Sequence, residues 1–97
     1  ELMAYPNPVS RQVTIAFKLT QSADVELKVY NVAGELLYRD ELRDVIGQQS
    51  AARNQAFIWK CENQAGESVA SGVYIYIVEA KREGQTVHRS GKVAVVR

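Results

Sequence analysis

Ninety-seven residues suit one domain with a single core, and a hydrophobic fraction of 46% fills that core without staples. Twelve basic against eleven acidic residues leave a net charge of +1, too even a balance to call for a nucleic acid or an anionic membrane as partner. Cys61 is the single cysteine, so no internal disulfide reports a redox compartment, and no run approaches the ~20 apolar residues of a membrane-spanning helix.

A period of two runs along the chain. Tyr5-Pro6-Asn7-Pro8 comes first; two prolines that cannot donate to a ladder belong at an edge or in a turn. From Gln12 to Leu19, Val13, Ile15, Phe17 and Leu19 alternate with Thr14, Ala16 and Lys18, which predicts a half-buried strand. Gln21-Ser22 turns the chain, and Asp24 to Tyr30 repeats the pattern with Val25, Leu27 and Val29 on the apolar face. Asn31-Val32-Ala33-Gly34 is a turn with a glycine free to take positive φ, followed by a shorter strand from Glu35 to Asp40. Residues 41–53 carry no clean periodicity and read as a loop with room for one helical turn. Gln55 to Lys60 is the next strand, with Phe57 and Trp59 on one face, and Cys61 to Ser68 is a turn region. Val73 to Ala80 is the longest strand. Lys81 to Thr86 closes a hairpin at Gly84, and Val87 to Arg97 returns, with a bulge expected near Ser90-Gly91.

About seven short strands with almost no helix predict an all-β sandwich of two antiparallel sheets. Neither a linker nor a low-complexity tract interrupts the pattern, so residues 1–97 read as a single domain. Trp59, Phe57, Phe17, Ile15, Leu27, Val29, Tyr74 and Tyr76 are its expected core. Ile75 and Ile77 fall on the wetter face of the long strand, with Glu79. Either a neighbouring element covers them or they form a docking patch.

Five motifs in order carry a resemblance: Tyr5-Pro6-Asn7-Pro8, Ala23 to Gly34, Trp59, Asn63-Gln64-Ala65-Gly66, and Ala70 to Tyr76. Together they resemble the Ig-like C-terminal modules related to the flagellar hook-capping protein (FlgD) and the C-terminal sorting domains of type IX secretion. The resemblance spans about Leu2 to Arg97 and implies an Ig-like, non-catalytic sandwich at the tail of a secreted or cell-surface bacterial protein. It also implies recognition by export machinery at the outer membrane, followed by cleavage or surface attachment, with Lys92 to Arg97 as the family's closing basic-apolar strand. Glu1 in place of Met, with no signal-peptide pattern, fits a piece of a longer protein. The sequence departs from the family where Lys60-Cys61 replaces the usual Asp-Gly after the tryptophan, and where Ile77 replaces a polar residue.

Catalytic motifs find no support. His88 is a lone histidine without metal-ligand spacing, and Ser71-Gly72 lacks the glycine two residues earlier that a nucleophile elbow needs. Asp24, Glu26, Glu35, Asp40 and Glu41 are scattered along strands rather than paired across a cleft, and Gly34, Gly47 and Gly66 form no phosphate loop. The chain is therefore expected to be no enzyme, to hold no cofactor or metal, and to be monomeric in isolation. The expected partners are secretion or cell-surface machinery and neighbouring domains of the parent. From Lys81 onward five basic residues stand against Glu83 alone, so Lys81, Arg82, Arg89, Lys92 and Arg97 are the candidate recognition surface; Ile75 and Ile77 are the candidate docking patch. Two alternatives stand beside this reading: a hook-cap domain, and a carbohydrate-binding module of a secreted glycoside hydrolase that stacks polysaccharide on Tyr5, Tyr30 and Tyr38.

Overall fold

The computed structural model describes residues 2–19, 22–45 and 55–97. They form seven strands: β1 (Leu2–Tyr5), β2 (Val13–Phe17), β3 (Ala23–Tyr30), β4 (Leu36–Val45), β5 (Gln55–Trp59), β6 (Gly72–Arg82) and β7 (Gln85–Val95). The order is β1-β2-β5 in one sheet and β4-β3-β6-β7 in the other, with every neighbouring pair antiparallel. The expected two-sheet sandwich is the observed fold.

Alternation decides which side chains meet between the sheets. Val13, Ile15 and Phe17 of β2 face Val25, Leu27 and Val29 of β3, and all eight expected core residues are buried. Phe17 lies 5.6 Å from Phe57, and Trp59 meets Tyr74 edge-on at 5.6 Å and 64°. Their polar tips are satisfied locally: Trp59 Nε1 donates to the Glu62 carbonyl at 2.9 Å, and Tyr74 Oη to the Ala70 carbonyl at 2.6 Å. The second bond reaches four residues upstream at the start of a strand, as in the tyrosine corner of Ig-type sandwiches.

Two expectations need correction. Strand β4 runs on to Val45, so 41–45 is ladder and not loop; the rest of the expected loop, 46–53, lies outside the described residues. Its apolar signal is weak because β4 is an edge strand, held by pairing of Glu26 with Glu41 and of Val25 with Leu42 and by charge pairs across its outer face. A register shift between Ala23 and Val25 further blurs the alternation. Second, β7 has no bulge near Ser90-Gly91, since its register with β6 is unbroken from Gln85 to Val95. Gly91 is there for space: a Cβ would overlap the Tyr76 ring and hydroxyl, its partner across the ladder. Leu2–Tyr5, for which the sequence predicts no element, also forms a strand, four residues being too few to show a period.

Asn31–Glu35 and Asn63–Glu67 build the same turn from the same pattern, Asn-x-Ala-Gly-Glu. In each, the asparagine Oδ1 accepts the amides two and four residues on at 3.0 Å, and the glycine sits at φ 84° or 83°. The variable position separates their roles. Val32 projects into solvent, whereas at Gln64 the backbone N–H donates to the Leu37 carbonyl and the side-chain Oε1 accepts from the Arg39 amide, both at 2.8 Å, covering part of the β4 edge.

Candidate recognition surface

The last hairpin begins at a two-residue turn, Glu83-Gly84, with φ of 48° and 78°, the left-handed pair that lets strands keep their twist. From there β7 runs as the edge of the four-stranded sheet, and its second half is held from outside. The Asn7 carboxamide donates to the Lys92 carbonyl at 3.1 Å and accepts from the Ala94 amide at 3.0 Å. Val9 then repeats that pattern with its backbone, donating to the Ala94 carbonyl and accepting from the Val96 amide, both at 2.8 Å. The side chain of Asn7 thus stands in for a peptide group in a short parallel ladder.

Arg97 closes the same end. Its guanidinium donates to the carbonyls of Val69 at 2.8 Å, Cys61 at 2.7 Å and Ser10 at 3.3 Å, and its amide donates to Ser71 Oγ at 2.9 Å. Cys61 lies beneath, fully buried; burial pushes its thiol above the ordinary value, with the Arg97 charge pulling the other way. A free thiol in that setting is protonated and unreactive.

The other members of the candidate surface are spread along the hairpin rather than gathered. Lys81 lies 3.7 Å from Glu79 and Arg82 lies 3.3 Å from Glu83. Arg89 donates to the His88 carbonyl at 2.9 Å, and Lys92 faces outward opposite Ile75. From Gln85 to Val95 the strand spans roughly 34 Å at about 3.4 Å per residue, with Arg97 beyond its end, so the five cations make no single patch. Four lie on the open hairpin. Arg97 is engaged in the fold.

Ile75 and Ile77 sit together on the outer face of the four-stranded sheet, where no described strand lies over them; both are half-buried by their own neighbours. The register aligns Tyr30, Ile75 and Lys92 in one row and Lys28, Ile77 and Ser90 in the next. Beyond them the face becomes charged. A shallow hollow of about 410 Å³ is lined by Glu26, Lys28, Arg39, Glu41, Glu79 and Lys81. Burial pushes the Glu26 carboxyl up, but the hydrogen bond from Arg39 and the nearby Lys28 and Arg39 charges outweigh it and hold the group below its ordinary value.

The outer face of the three-stranded sheet carries no charge over two rows, Met3-Ala16-Ala56 and Tyr5-Thr14-Ile58, with Met3 55%, Tyr5 47% and Ile58 45% exposed. Tyr5, Tyr30 and Tyr38 lie on different surfaces: Tyr5 here, Tyr30 on the opposite sheet, and Tyr38 half-buried against the core. They do not build a common stacking platform for a sugar. His88 is exposed opposite Glu79, and no metal-holding cluster occurs among the described residues.

Sequence reasoning missed two residues of this region, the ladder-mimicking Asn7 and the ladder partner Val9. The available signal was an asparagine held between two prolines, a polar group in a segment with little backbone donor capacity.

No curated protein matches the chain. Among solved structures, the fold is similar to part of dimeric latent PorU from Porphyromonas gingivalis, with a TM-score of 0.80 and 19% identity over 98% of this chain and 9% of that one. It is also similar to part of PorZ from the same organism, a surface component of the type IX secretion system, with a TM-score of 0.63 and 26% identity over 99% of this chain and 11% of that one. FlgD from P. aeruginosa matches with a TM-score of 0.68 and 17% identity over 92% of this chain and 78% of that one, a likeness of fold alone. The chain thus spans about a tenth of PorU and of PorZ. The model of the secretion system C-terminal sorting domain matches residues 3–90, and the chain belongs to that family.

Proposed function

We propose that this domain is the type IX export tail of a longer bacterial protein, without catalytic activity of its own, read as a folded sandwich by secretion machinery at the outer membrane. The family match over residues 3–90 carries this reading. Within it, Lys81, Arg82, Arg89 and Lys92 are the contact residues on the open hairpin, and Arg97 maintains the fold that presents them. Ile75 and Ile77, with Tyr30 beside them, form a docking patch for a neighbouring domain of the parent.

The test is a fusion of residues 1–97 to a periplasmic reporter in a bacterium with type IX secretion. Export of the reporter to the surface or medium, reduced by charge reversal at Lys81, Arg89 and Lys92 in a domain that still folds, supports the reading. A folded fusion that stays in the periplasm overturns it. Deleting Val93–Arg97 is less informative, because Val93 and Val95 are core residues and the deletion removes the fold together with the signal.

A further inference from the structure

The first half of β7 offers what its second half has already used. The outward backbone groups bonded by Asn7 and Val9 belong to Lys92, Ala94 and Val96, all even-numbered positions. Strand alternation directs the N–H and C=O of Thr86, His88 and Ser90 the same way, away from β6. Every residue from Gln85 to Ser90 is exposed. Among the described residues, the one partner found on this stretch of edge is the Arg89 guanidinium, folded onto the His88 carbonyl at 2.9 Å.

Beneath the edge the two sheets part. An open slot of about 160 Å³ is floored by Leu2, Phe17, Val78 and Val87, with the exposed Arg89 in its lining. Val87 is 54% exposed although it lies on the same face as the buried Val93 and Val95. The acids nearby are already paired, Glu79 with Lys81 and Glu83 with Arg82. Unused backbone donors and acceptors, an apolar strip on the inward side and surplus positive charge are the three requirements for adding an extended chain.

We propose that Gln85–Ser90 is a strand-addition site for an extended acidic segment of a partner protein. The added strand bonds the backbone of Thr86, His88 and Ser90, sets alternate apolar side chains over Val87 and the slot beside Arg89, and directs the carboxylates of its other face to His88 and Lys92. A second copy of this chain is the disfavoured occupant, because edge-to-edge pairing brings the same cations against one another. The proposal names the kind of partner for the sorting domain and rests on that reading for the partner's cellular source. The bonding itself is a property of the domain.

The experiment titrates the 15N-labelled domain with an eight-residue, acetylated and amidated peptide of alternating glutamate and valine, beside a control with lysine in place of glutamate. Saturable amide shifts at Thr86 to Ser90 are expected, with the lysine peptide about tenfold weaker or more. His88→Pro removes one outward N–H and leaves the bonds of Val87 and Arg89 to β6 in place, so the variant folds and loses the peptide. Lys92→Glu folds and narrows the difference between the two peptides. Shifts elsewhere, equal binding of both peptides, or undiminished binding by folded His88→Pro overturns the proposal, as does dimerisation through this edge in sedimentation. The export fusion separates the two readings. A His88→Pro fusion exported like the parent overturns strand addition and leaves sorting intact; a parent fusion that stays in the periplasm overturns sorting whatever the peptide does.

Discussion

The two halves of β7 share one strand, one register and one partner strand, yet differ in everything outside that ladder. From Gly91 to Val95 the free edge is bonded by Asn7 and Val9, and the inward valines are buried. From Gln85 to Ser90 every residue is exposed, and among the described residues only the Arg89 guanidinium, on the His88 carbonyl, bonds the edge. The difference does not come from strand propensity, since Thr86 and Val87 are as suited to a ladder as Val93 and Val95. It comes from a third element that crosses from the other sheet and reaches only as far as Lys92. An edge strand is closed or open according to what is laid beside it. Here closure coincides with the core, and openness with the slot and the surplus charge.

The sharpest way to break the comparison is a matched pair of truncations on one face. Val93→Ala removes a fully buried side chain and should cost about 2 kcal/mol, whereas Val87→Ala should lie within about 0.5 kcal/mol of the parent. Urea unfolding of the two variants measures this directly, and equal costs would mean that the halves are packed alike.

Next in size is the clamp. Arg97→Ala strips three carbonyls of a charged donor at a partly exposed site, with an expected loss of about 1.5 kcal/mol. Cys61 provides an independent readout, because its thiol reacts only when this end opens; maleimide labelling should quicken roughly tenfold. Labelling already fast in the parent would contradict the buried position of Cys61.

Asn7→Ala should cost about 1 kcal/mol by removing the two bonds to β7, and amide exchange should speed up at Ala94 but not at His88. Exchange that rises equally along the strand would show that Asn7 supports the hairpin as a whole and not its closed half.

The smallest effect lies away from both halves, on the charged face. The Glu26 carboxyl sits below its ordinary 4.5 in the folded state, so the folded form binds fewer protons than the unfolded form around that pH. Its stabilisation is complete above 4.5 and is lost as pH falls through the lower folded value. Glu26→Gln should flatten that part of the acid limb by about 0.2–1 kcal/mol, the range of screened surface pairs. Stability-against-pH curves that superimpose for the variant and the parent would remove the pair from the account.

Local alternation was sufficient for the faces of β2, β3, β5 and β6. Side chains two apart share a face, and transfer from water fixes which face turns inward. Where the outcome depended on a partner far along the chain, alternation misled. The 41–45 segment of β4 looked irregular because it is an edge that pairs with β3 across a register shift and carries the Arg39 and Arg43 charges on Glu41, and Gly91 looked like a bulge because the Tyr76 ring across the ladder is invisible in its neighbours.

The candidate site divides the same way. The basic excess after Lys81 was legible as composition, but the sequence had no means of separating Arg97 from the other four. Its guanidinium is engaged by Ser10, Cys61 and Val69, residues up to 87 positions away. By itself the sequence determined a β-sandwich, its inward aromatic and aliphatic residues, its turns and a basic last hairpin, because each follows from the chemistry of near neighbours. Only the tertiary structure decided that Asn7 and Arg97 close one end of the final strand and that the other end stays open. Hydrogen bonds between the two ends of a chain depend on where folding brings those ends, and no local pattern encodes that.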